Sequence, residues 1–241
     1  MMKKNFYCIL LAGLAFCCCK KNHAQHFQVG FEVTPHVSWL YNRGDLENNS
    51  FSYFITPGSS LGLSTAFSFN RHFGIAINAL YSRQGQWYKT YNVGRCRELE
   101  YYKIPVMFVF RVPLNHEMDF VGKTGPQFGI LRKASLFDRD GNVLDFDHQK
   151  GYKRLDMGAT TYLGIQLYAG NLVIDIAVRA DASLSGIENA NYKKDINEPW
   201  LRSSNNIIEE RKPTHNITLG ATLGIGYVFF KKGITSKMSP Y

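Results

Sequence analysis

Cysteine is scarce where it would matter. Four of the five, Cys8, Cys17, Cys18 and Cys19, fall near the N-terminus, and only Cys96 lies in the rest of the chain. Without that first segment no internal disulfide and no cysteine metal cluster is available. Concentrated positive charge is also missing: no Lys/Arg run exceeds two residues. Nucleic acid is therefore not an expected partner, since it calls for a basic stripe. Beyond residue 19 there is no apolar run near the roughly 20 residues of a spanning helix. With a mean hydropathy of −0.22, that excludes a helical membrane protein. No Pro- or Ser-rich linker divides the chain. No glycine-rich loop could cradle a phosphate, and no pattern calls for a cofactor, so none is expected.

What is present begins with MMKKN, FYCILLAGLAFCCC and KKNHAQ. A short basic region, an apolar stretch and a small residue before a cut predict a secretory signal over 1–24, cleaved after Ala24. Lipidation at Cys17, Cys18 or Cys19 is the rival, disfavoured by Phe16 ahead of Cys17. Removing 1–24 takes Lys3, Lys4, Lys20 and Lys21 and no acid, so the formal charge falls from +9 to +5 over 217 residues.

The rest alternates with a period of two, the signature of strands. In 216–230 the odd positions are Ile217, Leu219, Ala221, Leu223, Ile225, Tyr227 and Phe229, against Thr218, Gly220, Thr222, Gly224 and Gly226. The pattern recurs over 27–41, 59–69, 74–85, 98–112, 119–131, 154–168 and 172–186, which makes eight segments. NRHF, LNHEM and AGN join three pairs tightly. Polar loops of about 42–58, 86–97, 132–153 and 187–214 join the others. Strictly alternating short and long connections predict a transmembrane antiparallel up-and-down β-barrel of about eight strands, with short periplasmic turns and long extracellular loops. A soluble sandwich or lipocalin-like barrel would also alternate. Its second face would then be rich in Lys, Glu and Thr. Here that face is Gly, Ser, Thr and Ala with isolated charges, which suits a narrow interior, and the greasy face is assigned to outer-membrane lipid. Aromatic residues gather at the strand ends as girdles should: Trp39, Tyr41, Tyr81, Trp87 and Tyr88 at one end; Phe69, Phe73, Phe110, Phe120, Phe229 and Phe230 at the other.

FGIAINALYSRQG, LEYYKIPVMFVF, GPQFGIL, RLDMGATTYLGIQLYAGNLVIDIAVRADASLSGI and LGATLGIGYVF follow one another in an order that resembles the PorT-like outer-membrane β-barrel ("porin family") proteins of Gram-negative bacteria. The resemblance spans about 25–230. It implies an outer-membrane barrel of about eight strands and little about activity; the namesake branch is associated with a protein-secretion machine. The tail 231–241, KKGITSKMSPY, departs from the pattern, since a terminal aromatic is what the barrel-insertion machinery reads. It is expected in the periplasm.

Eight charges fall on the inward face: Glu32, Lys103, Arg111, Lys123, Asp156, Asp175, Arg179 and Asp181. Lipid would penalise each, so they are predicted to point inward and to pair as a salt-bridge network, or else to line a gated conduit. A rim hydrolase can be drawn from His148 or His215 with Ser203, Ser204, Asp145 and Asp147, but no spacing demands it. DRDGNVLDFD (138–147) has the oxygen ligands of a calcium loop without EF-hand spacing, and Asp140-Gly141 reads better as a hairpin turn. Arg43-Gly44-Asp45 reads as a polar turn. The expectation is a non-catalytic barrel, closed or narrow, whose loops meet an extracellular ligand or an envelope protein. A small porin or secretion-machinery subunit is the alternative.

Overall fold

The computed structural model describes residues 26–43, 52–90, 93–138, 140–145, 148–189 and 213–229. The proposed signal segment, Gly44 and Asp45, Ser203 and Ser204, Asp147 and the tail lie outside them. Among the described residues ten strands form: β1 (His26–Asn42), β2 (Ser52–Phe54), β3 (Thr56–Ser68), β4 (Phe73–Thr90), β5 (Val93–Pro113), β6 (Met118–Asp138), β7 (Val143–Asp145), β8 (Leu155–Ala169), β9 (Leu172–Ser183) and β10 (Thr214–Phe229), with one 3-10 turn at His148–Gly151. Eight of them close a ring in the order β1-β3-β4-β5-β6-β8-β9-β10 and back to β1, every pairing antiparallel. β2 and β7 extend β4 and β6 at one end. The eight-stranded barrel expected from the alternation is what the chain builds.

The stagger of the ring follows from the pairings. From Phe27 the partners run Phe67, Ile75, Phe108, Thr124, Thr161, Ala180 and Leu219, and the walk returns to β1 at Val37, ten residues from its start. Ten residues at about 3.3 Å set against eight strands at about 4.8 Å tilt the strands by about 40°, with a backbone radius of about 8 Å. Such a cylinder has room for side chains and little else.

The two faces are opposite in kind. On β9, Val178 is 56% exposed while its neighbours Ala177 and Arg179 are 6% and 3%. Phe31, Leu63, Ile77, Phe108, Leu163 and Leu223 are exposed in the same way. Between Phe27 and Phe229 at one end and Leu61, Tyr81, Tyr102, Ile130 and Leu155 at the other, no outward side chain of the described ring is charged. On β10 that belt runs from Ile217 to Phe229, about 30 Å in height at this tilt, which matches a bilayer's hydrocarbon core.

Inside, apolar clusters toward the two ends flank a polar middle, and Arg111, Gln28, Gln166 and Ser68 add a polar group at the turn end. Near the short turns Ala66, Ala76, Met107, Val109 and Val121 form an apolar cluster. Charged and amide side chains fill the middle. At the loop end Leu40, Leu99, Tyr101, Leu131, Ala134, Tyr152 and Ile187 form a second apolar cluster.

The expected loop spans and one girdle assignment change: β6 runs on to Asp138, and β7 (Val143–Asp145) also falls in the span 132–153 read as a loop. The span 86–97, read as a loop, belongs mostly to β4 and β5, which stay paired from Gly85↔Glu98 to Thr90↔Val93. Past the belt the outward residues no longer need to be apolar, so the alternation fades while the ladder continues. Tyr88 is not part of a girdle. It is buried inside the barrel, with the Arg97 guanidinium 5.0 Å above its ring.

Candidate functional site in the barrel interior

All eight predicted inward charges are buried. Four of them meet. Arg179 on β9 donates from Nη1 to Glu32 Oε1 on β1 (2.9 Å), from Nε to Asp181 Oδ1 (2.9 Å) and from Nη2 to Gln127 Oε1 on β6 (3.2 Å). Lys103 on β5 donates to Asp181 Oδ2 at 3.1 Å. Thr160 on β8 donates to Asp181 Oδ1 at 2.6 Å, and Asn78 on β4 to Glu32 Oε1 at 2.9 Å. One connected chain thus ties six of the eight ring strands across the lumen. Its two acids and two bases balance, as a buried charge cluster requires.

The other four stand apart. Asp156 accepts from Ser183 and Ser185, not from a cation. Arg111, near the turns, donates to Gln166 Oε1 (3.1 Å) and Ser68 Oγ (2.6 Å). Lys123 lies 4.2 Å from the centre of the Tyr162 ring. Asp175 accepts a long bond from Gln28 (3.5 Å), and its Oδ1 has no partner, nor has Arg111 Nη2. The expected network of eight is therefore a core of four with four separately held charges. Spacing gave each residue's face; it could not give azimuth around the ring, which the stagger decides.

Sequence reasoning missed His36, which fills an inward slot. Its Nδ1 lies 3.2 Å from the Thr34 carbonyl, and a Cβ on Gly220 would come within 2.5 Å of its own Cβ. The signal was available, since His36 shares the parity of Glu32 and faces a glycine across β10.

At the loop end the chain segments around Tyr152 and Ile187 are tied to one another and to β10. Lys153 N–H donates to the Ile187 carbonyl (2.7 Å), Ile187 N–H to Thr214 (2.9 Å) and Asn189 N–H to Gly151 (2.9 Å). Ile187 and Tyr152 are 1% and 4% exposed beneath them.

The chemical alternatives can be placed as well. His215 lies in β10, not in a loop, and its Nδ1 lies 3.1 Å from the Ser183 carbonyl. β6 and β7 pair as the hairpin that Asp140-Gly141 predicted. Gly141 has φ +83°, and Asp138 Oδ1 accepts from the N–H groups of Asp140 (3.0 Å) and Asn142 (2.8 Å). Those bonds hold the Asp138 carboxyl below its ordinary range, the Asn142 side chain contributing most. A carboxylate so engaged serves the turn. Among the described residues no three His, Cys, Asp or Glu side chains gather as a metal site.

A family model described as the outer membrane protein beta-barrel domain matches residues 22–189. No curated protein matches the chain. Among solved structures, the Neisserial surface protein A is similar over 84% of this chain and 97% of its own, at 14% identity and a TM-score of 0.46. OprG from Pseudomonas aeruginosa is similar over 86% and 97%, at 13% identity and a TM-score of 0.44. The attachment invasion locus protein Ail of Yersinia pestis covers 84% and 98%, at 17% identity and a TM-score of 0.41.

Proposed function

The chain belongs to the outer membrane protein β-barrel family and resides in the bacterial outer membrane, and from that premise we propose that it is a non-catalytic barrel with a closed lumen. In this reading the end carrying the short turns and both barrel termini faces the periplasm. The loop end faces outward and engages an extracellular ligand or an envelope protein. Lipid covers the belt, and the barrel-insertion machinery assembles it.

The observation that carries the reading is the chain around Arg179. It links β1, β4, β5, β6, β8 and β9 through the axis of an eight-stranded barrel, where a water-filled pore would have to run. Buried apolar clusters toward each end support the same reading. A cluster in which every charge is paired stabilises the ring; a conduit needs groups free to exchange partners with a passing ion. The order of motifs from FGIAINALYSRQG to LGATLGIGYVF further supports a place near the PorT-like branch, and so an envelope-protein partner.

Single-channel recording of the mature protein refolded into a planar bilayer tests this. Silence from protein that shows a heat-dependent gel shift is expected. Reproducible conductance steps would overturn the closed lumen in favour of a small pore. Trimming residues between Asn189 and Pro213 is then expected to abolish partner binding while the gel shift survives.

A further inference from the structure

Above the belt, the outward face of β3, β4, β5 and β6 is not an ordinary hydrophilic rim. Successive outward rows can be read from the register. The belt ends with Leu61, Tyr81, Tyr102 and Ile130, which are cross-strand partners. The next row is Ser59, Arg83, Glu100 and Lys133, with Arg132 beside it at the bulge between β5 and β6. Then come Gly85, Glu98 and Ser135, and after them Phe54, Trp87, Cys96 and Phe137. A charged row is thus followed by a row in which Glu98 stands between the small Gly85 and Ser135, and then by a row with three aromatic rings around Cys96.

The gap between those rows is a cleft of about 590 Å³. Gly85 lines it without a side chain, between Arg83 and Trp87 on β4. Trp87, Phe137 and Pro57 wall it, and the Arg83–Glu98 ion pair (2.5 Å) lies along it with Arg83 59% exposed. Arg132 bonds Glu100 and lies 5.9 Å over the Tyr81 ring, marking the top of the belt.

Height decides what this cleft meets. On β4, Arg83 lies two residues beyond Tyr81 and Trp87 six, which at the tilt found here is about 5 Å and about 15 Å above the last belt residue. An outward-facing hollow at that level borders the headgroups of the surrounding leaflet. An acyl chain would not suit it, because the ion pair lies within it. A peptide strand has no free edge to extend there: β5 is paired on both sides, β2 and β7 flank β4 and β6, and the Ser38 hydroxyl bonds both the N–H and the carbonyl of Gly85. A saccharide has what the rows ask for: ring faces of C–H groups for Trp87 and Phe137, hydroxyls for Glu98 and Arg83, and phosphates for Arg83 and Arg132.

We propose that this cleft binds the phosphorylated sugar headgroup of the outer leaflet's own glycolipid, holding the barrel to a bound lipid on its β3–β6 flank. The inference rests on the outward orientation of the loop end given above. The probe is rough-type lipopolysaccharide in phosphatidylethanolamine vesicles carrying the folded mature protein, compared with its deacylated core oligosaccharide. Lipopolysaccharide is expected to bind the wild type, with Trp87→Ala and Arg83→Gln each weakening it by about tenfold, the loss of one well-seated contact, while both variants keep the heat-dependent gel shift. Unchanged binding by both folded variants would overturn the cleft as the site. Equal affinity for the deacylated oligosaccharide would overturn the membrane glycolipid as its ligand. Orientation is checked apart: Lys89→Cys in a Cys96→Ser background should react with an impermeant maleimide on intact cells. A failure there removes the orientation, whereas labelling without lipopolysaccharide binding removes this inference alone.

Discussion

Replacing Arg179 by Met keeps the bulk of the side chain and removes its charge from the centre of the barrel. Glu32 then retains only the Asn78 amide as a donor, and Asp181 keeps Lys103 and Thr160. Around Arg179 two carboxylates face one ammonium, all within a layer where exposure is at most 6%. Two unit charges about 4 Å apart are worth about 4 kcal/mol at an effective dielectric of about 20. Breaking a buried pair by removing one partner costs about 3–5 kcal/mol, because the survivor stays buried. Arg179→Met and Glu32→Gln are each expected to cost that much. The double variant leaves Asp181 and Lys103 as a neutral pair, so its loss should fall short of the sum by about 2 kcal/mol. Urea unfolding in phospholipid vesicles, followed by tryptophan fluorescence and by the gel shift, gives all three numbers. Losses below about 1 kcal/mol for each single variant, adding without coupling, would refute the account of a load-sharing interior. The same variants in the planar bilayer connect stability to function: a closed lumen held by this cluster should conduct more often when Arg179 is absent.

Three further outcomes follow from the same geometry. Leu223 is 53% exposed at the middle of the β10 belt, so Leu223→Arg should lower folding free energy by about 2–4 kcal/mol, whereas Ser59→Arg, outward and above the belt, should change folding yield little; equal yields would reverse the lipid boundary. The Asp138 carboxyl titrates below its ordinary range in the fold, so its contribution to the β6–β7 hairpin is present in full above pH about 4 and is lost as pH falls through the lowered value; amide exchange at Asp140 and Asn142 should accelerate only in that acid window. Burial pushes the Cys96 thiol up to about 11, so N-ethylmaleimide at neutral pH should label it slowly in folded protein and quickly after denaturation; rapid labelling of the folded form would contradict its buried place in the aromatic row.

Strand positions and faces were legible because lipid and a narrow lumen impose opposite demands on successive residues. Phe31 beside Glu32, or Val178 beside Arg179, can satisfy both only one way round. Where one of those demands ends, so does legibility. Beyond Tyr81 and Tyr102 no lipid requires apolar side chains, and β4 and β5 continue through Gln86, Lys89 and Arg95 without a readable period, so paired strand passed for loop. Tyr88 followed the same rule in reverse: aromatic character at a strand end suggested a girdle, but its parity with Gln84 and Gln86 puts it inside. Partnering across the lumen was illegible for a different reason. Glu32 and Arg179 meet although 147 residues separate them, because a ten-residue stagger rotates one strand's level onto another's. Period-two reading fixes parity and leaves stagger free, so it identifies which charges enter the barrel but not which of them meet. That division also explains why the Arg179 chain and the outer cleft emerge together from the register: both are properties of rows running around the ring, and no single strand contains either.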